Sequence, residues 1–244
     1  MPDVFAALAA AERAVTAAVL EAYRTWLAAV RGAVLAPFHR FRLQPDPNGV
    51  WAASPLWNSR MERFLRDLRE IARMGWRDAA DDLGEPLPFD HQSSILADQL
   101  QRTRNLMVRT PDEVYRRVIG ELAKGGTIDE QAQRVRQLLD ITGTENWESR
   151  ARTVASTEVW RAYAFGGFSA AQRLSLRIGG IDKRWDSRRD AFVRNEHRRA
   201  HGQTVALNQT FEVGGEQLMV PLDPSGSPSN VINCRCRAEY LRRR

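Results

Sequence analysis

The sequence predicts an α+β protein: a mostly helical N-terminal three quarters, followed by a small α+β C-terminal domain with a few short strands. Up to about residue 180 the apolar residues recur every three or four positions, which is typical of amphipathic helices. After Gly179 and Gly180 the spacing changes to alternation interrupted by turn residues, which indicates short strands. We therefore predict a helical region over residues 1–180 and a separate small domain over residues 181–244.

Glycine, proline and capping residues divide the helical region. Ser54 before Pro55 is a helix start, with the hydroxyl as cap and the proline in the first turn. Capping boxes begin at Thr110 and at Thr127, each with an acidic residue three positions later, and each predicts a new helix. The six predicted helices cover residues 4–36, 54–84, 94–109, 110–122, 127–139 and the segment from 144 onward.

The small domain is predicted to hold three kinds of element. Residues 181–185 form a strand, and residues 187–200 are at least partly helical. Gly214 and Gly215 lie between two short apolar runs, at 210–213 and 217–220, which is a hairpin signal. Side-chain character alternates over residues 231–241, which predicts a last strand that contains both cysteines of the chain.

The charge balance favours a polyanionic partner. The chain has 36 basic and 30 acidic residues, which gives a net charge of +6, and only Lys124 and Lys183 among the basic residues are lysines. A GC-rich coding sequence accounts for most of this arginine excess, but arginine also suits bidentate phosphate contacts. The candidate nucleic-acid-binding residues are Arg188, Arg189, Arg198, Arg199, Arg242, Arg243 and Arg244. For Arg188 to Arg199 the alternative is a solvated face whose arginines pair with the nearby acidic residues.

Composition also excludes several classes of protein. Two cysteines cannot form a disulfide framework, so we expect synthesis in a reducing cytosol. The N-terminal segment contains Asp3, Glu12 and Arg13, so we expect no signal peptide. No stretch has the roughly 18 uncharged apolar residues that a membrane span requires. We therefore expect a soluble protein with no membrane partner.

Cys234 and Cys236 allow two interpretations. Side chains two residues apart on a strand point to the same face, and with His197 or His201 the two thiols would offer zinc ligands. The two histidines are four residues apart on a predicted helix and would share a face. Structural zinc sites commonly have two to four residues between paired cysteines, and here there is one. The favoured interpretation is that both thiols are small buried hydrophobic groups, so no metal and no cofactor is expected.

A hydrolytic site would draw on Asp190, Glu196, His197 and Asp223. Hydrolysis requires a nucleophile, its base and an orienting group within reach of one another, and the spacing of these residues does not require that arrangement. No glycine loop with the lysine of a nucleotide-binding motif is present. An enzyme is not expected, and the alternative to a structural role is a metal-dependent nuclease or ribonuclease-like enzyme using the His197 region.

The C-terminal quarter carries several motifs in a fixed order. The segments HRRAHGQTV, PLDPSG and NVINCRC follow one another over residues 183–240, and the segment ARTVASTEVWRAYAFG, with Thr157 and Glu158, lies upstream of them. This order resembles the head-morphogenesis domain of phage minor capsid proteins, a family named for the F protein of phage Mu. The upstream segment resembles the helix that precedes the domain, with a matching Thr-Glu pair. Ser156 and His201 depart from the pattern, since they stand where arginine and aspartate are frequent. The motif residues include Trp185, Asp190, Arg194, His197, Gly202, Asp223, Asn233, Cys234, Arg235 and Cys236.

The resemblance implies a structural virion protein without catalytic residues. Such proteins are incorporated in few copies near the portal vertex while the procapsid assembles in the host cytoplasm. The implied partners are the portal protein, other capsid proteins and packaged double-stranded DNA. The helical region would dock to the portal, and the protein would assist DNA packaging or ejection from inside the capsid.

Overall fold

The computed structural model describes residues 4–35, 55–127, 130–131, 133–134, 137–138 and 147–243, and it has the predicted α+β architecture. The long helices are α1 (Val4–Leu35), α2 (Pro55–Asp82), α3 (Ser94–Ala123) and α4 (Trp147–Ile178). The elements that follow are β1 (Ile181–Asp186), α5 (Asn195–Ala200), β2 (Thr204–Ala206), β3 (Phe211–Val213), β4 (Glu216–Leu218), α6 (Pro228–Val231) and β5 (Arg237–Arg242).

Helix α4 is the centre of the helical region and packs against α1, α2 and α3. Its buried positions are mostly small, including Ala151, Ala155 and Ala162, so neighbouring helices can approach closely. Helix α2 comes closest, at Gly75 and Gly166, where each glycine lies against the backbone of the other helix. The predicted apolar stripes of α1 and α2 are confirmed wherever their side chains are described, at Val15, Val19, Tyr23, Trp26, Leu27, Met61, Phe64, Leu65, Leu68 and Ile71.

The predicted helix boundary at Thr110 is wrong. Helix α3 continues through Pro111 from Ser94 to Ala123, although proline removes one hydrogen bond from a helix interior. Val114 and Val118 are buried and extend the stripe begun by Leu100 and Met107, so burial along one face outweighs the local start signal.

The second capping box is confirmed. The Thr127 N–H donates to Glu130 Oε2 at 2.8 Å, and the Glu130 N–H donates to Thr127 Oγ1 at 3.3 Å. The loop predicted after α1 and the helix start near residue 144 lie outside the described residues.

The strands form two small antiparallel groups. Strand β1 is central in the order β2-β1-β5, with Lys183 opposite Val205 and Tyr240. Strands β3 and β4 form the predicted hairpin, with Phe211 opposite Leu218. The strands share their core with the helices, because Ile181, Val220 and Tyr240 pack in one cluster with Trp76 and Phe168. The division of the chain near residue 180 stays a prediction.

The last strand begins later than predicted. Residues 228–231 form helix α6, with Pro228 in its first turn, and Asn233 has a positive φ of 57° that turns the chain. The strand ladder starts only at Arg237. Burial nevertheless alternates from Cys234 to Tyr240, so the predicted pattern holds on an extended segment that precedes the strand.

Candidate functional site

His197, Cys234 and Cys236 form a buried group that we call the Cys-His cluster. His197 lies on α5, and both cysteines lie on the extended segment between α6 and β5. The Nδ1 atom of His197 is 3.5 Å from the Sγ of Cys234 and 3.5 Å from the Sγ of Cys236. Each of the three residues is 2% exposed, and their ligand atoms all lie within 4.8 Å of one another.

Aromatic packing orients the histidine. The ring of His197 meets Trp185 of β1 edge to face at 5.6 Å, and Trp185 meets Phe211 of β3 in the same way at 5.3 Å. Trp185 and Phe211 are fully buried, so they fix the ring plane with Nδ1 towards the sulfur atoms. The Nε2 atom of His197 is buried and has no hydrogen-bond partner within the described part of the chain.

The two thiols shift each other's pKa in opposite directions. A hydrogen bond from Cys236, together with His197, lowers the pKa of Cys234 despite its burial. The same contact and burial raise the pKa of Cys236, because a second thiolate beside the first would be repelled. The cluster therefore presents soft, electron-rich sulfur next to an imidazole nitrogen, which are donors that suit a soft metal ion.

His201 does not join the cluster, so the prediction that the two histidines share a helix face is wrong. Helix α5 ends at Ala200, and His201 is the residue that caps its C-terminal end. Its Nδ1 accepts a hydrogen bond from the Ser187 N–H at 3.1 Å and lies 3.6 Å from the Asp186 carboxylate.

The remaining motif residues connect separate segments around the cluster. Arg235 pairs with Asp190 at 3.1 Å, and Arg194 donates to the Ile232 carbonyl. The Asn233 N–H donates to Thr157 Oγ1 on α4 at 3.1 Å. The others shape turns: the Gly202 N–H donates to the Trp185 carbonyl, and the carboxylate of Asp223 accepts from the backbone of Met219 and Ser225.

The four residues considered for hydrolysis are not assembled into one site. Asp190 forms ion pairs with Arg188 and Arg235, and the carboxylate of Asp223 accepts a hydrogen bond from Ser225 within its own turn. Glu196 lies beside Gly214 on the surface, and the group around His197 contains no carboxylate among the described residues.

The candidate phosphate-binding arginines fall into two groups. Arg188 pairs with Asp190 at 3.3 Å, Arg242 pairs with Glu85, and Arg243 pairs with Asp182. Arg189, Arg198 and Arg199 are exposed and have no ion pair with any described residue. Arg244 lies outside the described residues.

Two features escaped the sequence predictions. Glu158 is fully buried and binds Thr103, Gln99 and Arg161, and the Thr157–Glu158 pair was its only signal. A groove of about 710 Å³ also runs between α1, α4 and the cysteine segment. Its lining includes four arginines, Arg13, Arg152, Arg188 and Arg235, and one acidic residue, Glu12.

Comparison with known proteins agrees with the motif order. The family model for Phage Mu protein F like proteins matches residues 112–239, which is more than half of the chain. The chain belongs to this family. The Mu F-like match begins within α3 and includes all of α4, so it starts well upstream of residues 151–166, the first of the resembling segments. No curated protein and no solved structure matches the chain.

Membership makes this Mu F-like chain a bacteriophage head morphogenesis protein from a family of structural proteins. It also implies contact with other proteins of the phage head and a place in the virion. Within the described residues, no helix combines the length and the apolar character that crossing a membrane requires.

Proposed function

We propose that the protein is a minor capsid protein of a tailed phage that acts at or near the portal during procapsid assembly and in DNA packaging or ejection. The Mu F-like match over residues 112–239 is the observation that carries this proposal. The role is structural, inside the capsid or at the portal vertex.

The groove between α1 and α4 is the proposed portal contact. Arg13 of α1 and Arg152 of α4 line it together with Arg188 and Arg235, both of which also pair with Asp190. Glu12 is the single acidic residue among the described residues of the lining. An interface in which one sign of charge predominates selects a partner segment of the opposite sign, so the proposed occupant is an acidic segment of the portal protein.

Co-expression with the portal protein of the same phage tests the proposal. We expect the two proteins to elute together in size-exclusion chromatography at moderate salt. The variant Arg13→Glu, Arg152→Glu reverses two charges in the groove and should abolish co-elution. The matched variant Arg66→Glu, Arg69→Glu reverses two exposed charges on α2, outside the groove lining, and should keep it. Separate elution of the unmodified chain at every salt concentration would overturn the portal assignment.

A further inference from the structure

The Cys-His cluster has the composition and spacing of a metal centre. We propose that Cys234, Cys236 and His197 bind one zinc ion through the two sulfur atoms and Nδ1. Such an ion would stabilise the fold around β1 and α5, and its binding does not depend on the proposed portal contact.

The distances match zinc coordination. Zinc binds thiolate sulfur at about 2.3 Å and imidazole nitrogen at about 2.0–2.1 Å, and a tetrahedral arrangement then separates the sulfur and nitrogen ligands by about 3.5 Å. His197 Nδ1 is 3.5 Å from each sulfur atom. One thiol hydrogen bond to the single lone pair of Nδ1 would account for one such contact. Two equal contacts place the nitrogen as the third corner of a common coordination sphere.

The donor set selects the metal. Two thiolates and an imidazole suit zinc, whereas magnesium and calcium prefer oxygen ligands. Two thiolate charges also neutralise Zn²⁺, so the complex can be buried without the cost of an uncompensated charge. All three ligands are 2% exposed, which makes this neutrality necessary.

The position of the cluster gives the ion a structural role. It would join α5 to the segment that follows α6, and Asn233 attaches that segment to α4 through Thr157. Among the described residues, no cysteine, histidine or carboxylate joins these three as a fourth ligand. The fourth coordination position is therefore left to water or to a ligand from outside the described residues.

Metal analysis of the full-length protein tests this site. We expect about one zinc per chain when the protein is purified from zinc-supplemented cells without chelator and measured by mass spectrometry. Cys234→Ser, Cys236→Ser and His197→Ala should each lose the zinc, and His201→Ala should retain it, because His201 binds Ser187 and Asp186 instead.

A second measurement does not depend on how the variants fold. Cobalt added to the metal-free, unmodified chain should produce a thiolate-to-cobalt charge-transfer band, and equimolar zinc should remove it. The proposal is overturned if the unmodified chain holds no zinc and gives no such band. Zinc that persists in folded Cys234→Ser or His197→Ala protein would also overturn it, since the metal would then lie elsewhere.

Discussion

Lys183 is a buried cation, and no carboxylate of the described residues is in direct contact with it. Its side chain is 0% exposed, its Nζ donates to the Met219 carbonyl at 2.6 Å, and it lies 5.2 Å from the ring centres of Phe168 and Phe211. The aromatic faces attract the ammonium group but do not replace its hydration. Burial therefore lowers the pKa of Lys183 from 10.5 to about 8, although the charge of Asp223 opposes the shift.

This shift predicts a stability that rises with pH. Unfolded lysine binds its proton more tightly than folded Lys183, so unfolding takes up a proton between about pH 8 and pH 10.5. Below pH 8 the charged group destabilises the fold by about 3 kcal/mol, and this cost disappears across that window. We expect Lys183→Met to remove this component of the rise in the free energy of unfolding, which chemical denaturation at several pH values measures. Lys124→Met, which changes the other, exposed lysine, should leave it unchanged. Equal pH slopes for the unmodified protein and Lys183→Met would contradict the assignment.

Glu158 is a buried polar anchor of α4. Its carboxylate accepts from Thr103 at 2.5 Å and Gln99 at 3.1 Å, and it pairs with Arg161, whose Nε donates to the Leu222 carbonyl at 3.0 Å. One buried acid thus joins α3, α4 and the C-terminal loops. Apart from the Thr157–Glu158 pair, the sequence showed only an acidic residue in a helix, because Gln99 and Thr103 lie on a distant segment.

Removing Glu158 should leave Arg161, whose side chain is only 13% exposed, without its ion-pair partner. We expect Glu158→Ala to lower the free energy of unfolding by about 3–5 kcal/mol, which is the usual cost of breaking a buried ion pair. Glu113→Ala removes an exposed partner of Arg150 at 3.9 Å and should change stability by less than about 1 kcal/mol. Urea denaturation of both variants measures the difference, and similar losses would show that burial of Glu158 is not decisive.

At the scale of elements, the sequence predicted those features that local periodicity determines. The stripes of α1 and α2, the hairpin and β1 are confirmed. The break at Thr110 was wrong because burial of Val114 and Val118 overrides a local capping signal. The sequence named His197 and His201 as alternative partners of the cysteines but could not decide between them, since the choice depends on how residues 187–194 turn between β1 and α5. That turn includes Arg189 at a positive φ of 59°, which no sequence rule required.

The crossing of α2 and α4 depends on glycine at both contact points. A Cβ at Gly166 would lie 2.0 Å from the Ala72 carbonyl oxygen, and one at Gly75 would lie 2.0 Å from the Tyr163 carbonyl oxygen. Because backbone cannot move aside as a side chain can, the helices must separate to admit a methyl group. Overpacking of this kind costs about 1–3 kcal/mol.

We expect Gly166→Ala to destabilise the protein by at least about 2 kcal/mol, towards the upper part of that range. Gly120 lies in α3 with nothing within 4 Å of its added Cβ. Gly120→Ala should therefore stabilise the protein by about 1 kcal/mol, the difference in helix propensity. Thermal denaturation distinguishes the two variants. If Gly166→Ala left the stability unchanged, α2 and α4 would not be held this close together.

For the whole molecule, the net charge of +6 overstates the positive surface that is available to a partner. Arg184, Arg242 and Arg243 pair with Glu239, Glu85 and Asp182, so part of the C-terminal basic charge holds the fold together. Counting charges along the sequence cannot show this, because the partners come from three separate segments. Arg189, Arg198 and Arg199 are exposed without a described ion pair and are the arginines best placed for phosphate.

This distribution makes a quantitative prediction for DNA binding. Each phosphate that an arginine neutralises contributes about −0.9 to the slope of log affinity against log salt for double-stranded DNA. We expect the triple variant Arg189→Ala, Arg198→Ala, Arg199→Ala to bind DNA more weakly and to flatten this slope by about 0.9 for each phosphate that is no longer neutralised. The matched variant Arg184→Ala, Arg242→Ala, Arg243→Ala removes the same charge but only paired arginines, so its slope should match that of the unmodified chain. Fluorescence anisotropy with a short duplex at several salt concentrations measures both, after circular dichroism confirms that each variant is folded. Equal flattening in the two variants would show that net charge, and not the exposed arginines near α5, determines binding.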